Sequence, residues 1–81
     1  MYKPFSYKLK KHIAVLGLCP DNTSQIEANI IQYNEGHLKL DIRKWTRDDE
    51  HKMLKGITLG KDEADKLKRV LGEINIQNEL D

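Results

Sequence analysis

Apolar and polar residues alternate through His37-Leu38-Lys39-Leu40-Asp41-Ile42-Arg43-Lys44-Trp45, with Leu38, Leu40 and Ile42 on one parity. His37, Lys39, Asp41, Arg43 and Trp45 occupy the other. Period two marks a half-buried β-strand, so the aliphatic set is expected to face a core and the second set to face water. Residues 5–18 repeat the theme, with Phe5, Tyr7, Leu9, Ile13 and Val15 on odd positions and Ser6, Lys8, Lys10 and His12 on even ones. Lys11 breaks that register, which points to a bulge or twist near it. At Ala14-Val15-Leu16-Gly17-Leu18 both parities turn apolar, the pattern of a strand entering a covered region. A third strand, over 25–33, slips parity at Ile30-Ile31, through either a bulge or burial on both faces. A fourth, over 52–59, is interrupted at Gly56. Parity there puts Lys55 with Ile57 and Leu59, and a bulge at the glycine would turn it the other way.

The connections carry turn chemistry. Cys19-Pro20-Asp21-Asn22-Thr23-Ser24 combines a proline with turn-forming Asp and Asn. Asn34-Glu35-Gly36 reads as a short hairpin turn in which the glycine supplies a positive φ. Thr46-Arg47-Asp48-Asp49-Glu50-His51 has no apolar residue and is expected to extend into solvent. From Lys61 to Ile74 the period changes: Ala64, Leu67, Val70, Leu71 and Ile74 recur at the spacing of an amphipathic helix. Gly60 is a permissible N-cap, and Asp62 and Glu63 in the first turn favour the positive end of the helix dipole. Asn75 to Asp81 reads as a frayed tail. The order is ββββα in one α+β domain spanning 1–81, a four-stranded antiparallel sheet with one apolar face covered by the C-terminal helix. The sheet's other face stays wet.

Composition sharpens this picture in two ways. A core within 81 residues typically supplies only about 3–5 kcal/mol, so small domains lean on disulfides, metals or oligomerisation. Cys19 is the only cysteine, which removes an internal disulfide, and 33% charged residues leave little apolar material. Self-association is the remaining way to bury more surface. No apolar run approaches the roughly 20 residues that span a bilayer, and Met1-Tyr2-Lys3-Pro4-Phe5 lacks the apolar segment of a secretory signal. The expectation is a soluble protein of a reducing compartment, most simply the cytoplasm, with no membrane partner.

Net charge is only +1, but residues 1–59 carry +3 and residues 60–81 carry −2. The first twenty residues hold Lys3, Lys8, Lys10 and Lys11 and no acid. Local field steers an anionic ligand, so this asymmetry permits nucleic-acid binding without demanding it. Trp45 carries the sharper signal. A large aromatic among cations on an exposed sheet is suited to stacking unpaired bases while holding phosphates. A tryptophan at a strand end also commonly covers the edge of its own core, and the strand alone supports both readings. Arg43 shares its parity; its bland role is a surface ion pair with Asp41, worth about 0–1 kcal/mol.

The elements Asp41-Ile42-Arg43-Lys44-Trp45, a charged loop, then Lys55-Gly56-Ile57-Thr58-Leu59 entering an amphipathic helix resemble the positive cofactor four family of transcriptional coactivators. The likeness is to its single-stranded-DNA-binding C-terminal domain and short bacterial members, and covers about residues 26–74. The resemblance implies a ββββα homodimer whose curved sheets hold single strands or unwound duplex in aromatic and basic grooves. It also implies localisation with the nucleoid if the chain is bacterial. By position, Arg43, Trp45 and Lys55 match the family's arginine, following aromatic and lysine before glycine. Tyr33 lies one residue from the family's stacking aromatic, with a core or interface tyrosine as its plainer reading. Glu35 and His37 stand where the family often has lysines, and its serine-rich regulatory arm is absent. The candidate nucleic-acid track is thus Lys8, Lys10, Tyr33, His37, Lys39, Arg43, Trp45 and Lys55.

An enzyme is not expected. His12, His37, His51 and Cys19 lack metal-ligand spacing, and Asp48-Asp49-Glu50 reads as a solvated turn. No glycine-rich phosphate loop is present, and Ser6 and Ser24 have no nucleophile pattern. No catalytic residue, metal, cofactor or small-molecule substrate is assigned. Single-stranded DNA is the expected partner, in transcription, replication or repair. RNA is the near alternative, and a protein-interaction module anchored by an exposed Trp45 the distant one.

Overall fold

The computed structural model describes residues 6–81, so the expected strand start at Phe5 and the charge of Lys3 lie outside the described residues. Four strands, β1 (Tyr7–Leu18), β2 (Ser24–Tyr33), β3 (Leu38–Thr46) and β4 (Met53–Leu59), form one antiparallel sheet in sequence order. Helix α1 (Lys61–Gly72) follows, and a single turn, α2 (Ile76–Glu79), takes the place of the expected frayed tail. Asn75 caps that turn by accepting from the Asn78 N–H at 3.2 Å.

The β2–β3 register is unbroken from Ser24↔Thr46 to Gln32↔Leu38. The parity slip at Ile30-Ile31 therefore reflects a central strand flanked by neighbours, not a bulge in β2; Ile31 is fully buried and Ile30 half-buried. The bulges fall on β1, where register shifts occur between Leu9 and Lys11, His12 and Ala14, and Val15 and Gly17. Lys10, Ile13 and Leu16 are the inserted residues. Each insertion bends its strand and adds right-handed twist, so the three together curve the sheet.

At the hairpin between β2 and β3, Asn34 and Glu35 take φ of 47° and 66°, and no glycine has positive φ. The Gly36 N–H donates to the Tyr33 carbonyl at 2.7 Å. Two consecutive left-handed residues are the signature of a type I′ turn, so Asn34 and Glu35 do what was expected of the glycine. Gly56 is needed for a different reason. A Cβ there would collide with Cα and Cβ of Arg43 and lie 2.6 Å from the Ile42 carbonyl oxygen. The β4 bulge follows, between the pairs Arg43↔Gly56 and Trp45↔Met53.

Cross-strand partners share a side of the sheet, which sorts the residues into two faces. One carries Leu38, Leu40, Ile42, Ile26, Ala28, Ile30, Ile57 and Leu59. The other carries Asp41, Arg43, Trp45, Glu27, Asn29, Ile31, Tyr33 and Thr58. Their expected burial is reversed. Asp41 and Trp45 are sealed, whereas Leu38 and Ile57 are 54% and 56% exposed. Nor does α1 cover the apolar face: it has no buried residue, and Val70, Leu71 and Ile74 remain open. The 14–18 segment is likewise uncovered, with Val15, Leu16 and Leu18 all exposed. Curvature is the physical reason. A sheet bent by β1 closes its polar concave face on itself, and the helix, reaching the sheet only at its first turns, leaves the convex apolar face open. The radius of gyration is 14.6 Å, against roughly 12 Å for a compact chain of this length.

Candidate nucleic-acid interface

The concave face is built around two buried carboxylates. Asp41, fully buried, receives both ends of the Arg43 guanidinium, with Nη2 donating at 2.7 Å, and accepts from Thr58 Oγ1 at 2.7 Å and Tyr33 Oη at 3.0 Å. Arg43 also donates to the Leu54 carbonyl at 2.9 Å, which clamps it across the β4 bulge. Burial pushes the Asp41 carboxyl up, but the hydrogen bonds from Arg43, Thr58 and Tyr33 outweigh it and hold the group below the usual carboxylate range. The same burial, with Asp41 as neighbour, raises the Tyr33 phenol.

Glu27 is the second centre. It accepts from Gln25 Nε2 at 2.8 Å, Asn29 Nδ2 at 3.2 Å and His51 Nε2 at 3.0 Å, and lies 3.8 Å from His12 Nδ1. Its carboxyl is also held low: burial raises it, and the bonds from Gln25, His51 and Asn29 prevail. His12 is fixed in turn by Nδ1–H donating to the Asn29 amide oxygen at 2.7 Å.

His51 reaches this face because its loop folds back. Asp48 accepts from Thr46 Oγ1 at 2.8 Å and from the backbone N–H groups of Glu50 and His51 at 3.1 and 3.2 Å. Arg47 donates to the Thr23 and Asn22 carbonyls at 3.0 and 2.9 Å, tying this loop to the β1–β2 turn. With φ of 47° at His51, the imidazole lies flat on the Trp45 indole, centroids 4.3 Å apart and planes 12° apart. Tyr7 meets the indole edge-on at 5.9 Å. Residues 47–50 of this loop are exposed as expected, while its own hydrogen bonds turn His51 back onto the sheet.

Trp45 stands on the same face as Arg43, as its parity requires, but the expectation of exposure is wrong. The indole is fully buried, and its N–H has no acceptor. Tyr7, His51 and Met53 surround it, so it is the core of the concave face and cannot serve as an exposed anchor for a partner protein. Arg43 is likewise no free phosphate ligand or surface pair; its partner Asp41 has no solvent exposure. Lys39 shares the Arg43 parity and is exposed at the far end of β3. Lys8, opposite Gln32, projects to the convex side, while Lys10 sits in the first β1 bulge. Lys55 lies exposed in the β4 bulge and His37 exposed beyond the hairpin turn. The signals missed in sequence are His12, Glu27, Asn29 and His51. A Glu-x-Asn pair on a central strand was the available clue, since buried polar residues must find partners.

An antiparallel ββββα sheet with a polar, aromatic-lined concave side and an uncovered convex side is an α+β domain built to present its sheet faces. Residues 21–70 match the transcriptional coactivator p15 (PC4) family, and the chain belongs to that family. Membership makes it a nucleic-acid-binding, coactivator-like protein. A comparison with curated proteins returned no match. Among the described residues no group of three or more His, Cys, Asp or Glu is gathered as metal ligands, and no helix is long and apolar enough to cross a membrane.

Two consequences are testable. Trp45→Ala should cost about 3–5 kcal/mol of stability as a large buried aromatic is lost, measured by urea unfolding. An unfolding midpoint unchanged by the substitution would contradict the burial. Asp41→Asn should cost about 3–5 kcal/mol at pH 7 by stranding Arg43. Because the folded-state pKa of Asp41 is depressed, its stabilisation is complete above the unfolded value of about 3.9 and is lost as pH falls through the folded one. The variant should therefore lose less stability than wild type on going from about pH 5 to pH 2. Parallel losses in the two proteins would exclude Asp41 as a source of acid sensitivity.

Proposed function

We propose that this protein is a homodimer that binds single-stranded DNA with little sequence preference through its concave sheet face, in transcription, replication or repair. The observation that carries the reading is the ring stack at Trp45, inside the span that matches the family. Its outermost member, His51, has one ring face on the indole and a side chain 42% exposed. A base laid on that imidazole extends an existing stack, and stacking is indifferent to base identity because every base has a π-face. The buried indole thus supports the platform instead of being the platform. Phosphates fall to the exposed lysines. Among the described residues Lys10, Lys39 and Lys55 have no ion pair, unlike Lys52, which is held by Glu50 at 2.9 Å.

The open apolar surface supports the dimer. Leu38 and Ile57 on the convex sheet face, with Val70, Leu71 and Ile74 on α1 and the next turn, are large aliphatics that a second copy of the chain would bury. Two concave faces in one particle raise avidity without new contacts. Leu71→Asp should shift a particle of twice the 9.4 kDa chain mass to the monomer in light scattering. A monomeric wild-type protein would refute the assembly.

Titration of fluorescent oligo-dT at several salt concentrations tests the ligand. Binding should weaken with salt, and Lys55→Ala should reduce the log–log slope by about 0.7, one phosphate contact on a single strand. Salt-insensitive or absent binding would overturn the reading, and preference for an RNA oligonucleotide of equal length would reassign the ligand.

A further inference from the structure

The concave face holds two partly exposed histidines against one buried carboxylate. Of the permanent charges assigned to it, Lys10 and Lys55 sit in the β1 and β4 bulges. Arg43 and Asp41 neutralise one another in a buried pair, and Lys39 lies six residues along β3 from Trp45, roughly 20 Å away. Glu27 is left as a buried anion beneath the ring stack, with His12 on one side and His51 on the other. Around this group, Gln25 and Asn29 on β2 and the Tyr7 and Trp45 rings are uncharged. Arg43 lies across from Glu27 on β3 but is held by Asp41. On the His51 loop, Asp48 accepts the His51 backbone N–H while Glu50 and Lys52 pair with one another.

Each imidazole already donates one N–H inward, His12 from Nδ1 to Asn29 and His51 from Nε2 to Glu27. A second proton on either ring goes to the remaining nitrogen, His12 Nε2 or His51 Nδ1, and breaks neither bond. The side chains are 49% and 42% exposed, so solvent reaches them. Histidine is the side chain whose charge ordinarily changes between pH 5 and 8. With both rings neutral the His12–Glu27–His51 group carries −1, and with both protonated it carries +1.

Resting on the single-strand reading above, we propose that His12 and His51, mounted on Glu27, are a two-proton switch that strengthens polyanion binding as pH falls from 8 to 5.5. A phosphate over the face favours the protonated rings, so binding takes up protons. By linkage, affinity therefore rises toward low pH. The stacked His51 ring also becomes a cation on an indole face, a geometry that attracts the two groups. One of the switch's two side chains, His51, is also the base platform.

The test is oligo-dT binding at constant ionic strength at pH 8 and pH 5.5, because thymine does not titrate in that interval. Wild type should bind about 5-fold or more tightly at the lower pH, with a salt slope steeper by up to about 1.4 for two new phosphate contacts. The His12→Gln, His51→Gln double variant should bind with no pH dependence, and His37→Gln should keep it. Intrinsic fluorescence of the lone tryptophan gives a ligand-free readout. A protonated His51 quenches the indole it lies on, so emission should fall between pH 8 and 5.5 in wild type and stay level in His51→Gln. Binding that is equal at the two pH values overturns the switch and leaves the single-strand reading standing. No binding at either pH overturns both. PH dependence that survives in the double variant, or disappears in His37→Gln, assigns the protons elsewhere and also overturns the switch.

Discussion

The bidentate pair of Arg43 with the fully buried Asp41 is the interaction on which the concave face depends. Two charges withdrawn from water are tolerable only when every remaining polar position is filled. Here Thr58, Tyr33 and the Leu54 carbonyl fill them, so one ion pair draws β2, β3 and β4 together. The close approach of Gly56 to Arg43 belongs to the same arrangement, since a side chain there would push β4 off the guanidinium. Glu27 repeats the solution one strand over, with Gln25, Asn29 and His51 as its donors.

This inverts the usual division of a small α+β domain. Polar groups are commonly on the wet side of such a sheet and aliphatics on the dry side. In this chain the polar side is closed by curvature and by its own hydrogen bonds, and the aliphatic side is left open. The concave face holds its shape through these bonds, and the convex face keeps large aliphatics open.

Period-two alternation located β3, period 3.6 located α1, and the turn chemistry placed every connection within a residue or two. Lys11 marked the first β1 bulge correctly. What alternation cannot convey is which of two faces is buried, because it fixes only that they differ. Hydrophobicity suggested Leu38, Leu40 and Ile42, but three bulges closed the other side. Parity did place Arg43, Trp45 and Asp41 together; only their exposure was misjudged. The back-folding of Thr46–His51 was illegible because Asp48 holds it by hydrogen bonds, which leave no apolar trace in sequence. Glu27 and His12, far apart in the chain, become neighbours only through the β1–β2 register.

The evenly spaced insertions in β1 have one more consequence. β1 lies at the margin of the sheet, where an unbroken strand would offer a straight row of amide and carbonyl groups to any passing chain. With Lys10, Ile13 and Leu16 out of step, that row is interrupted every three residues and cannot template a fifth strand. Growth of the sheet by lateral addition is blocked on that border. The aliphatic surface that this protein leaves open therefore cannot be covered by strands added along β1.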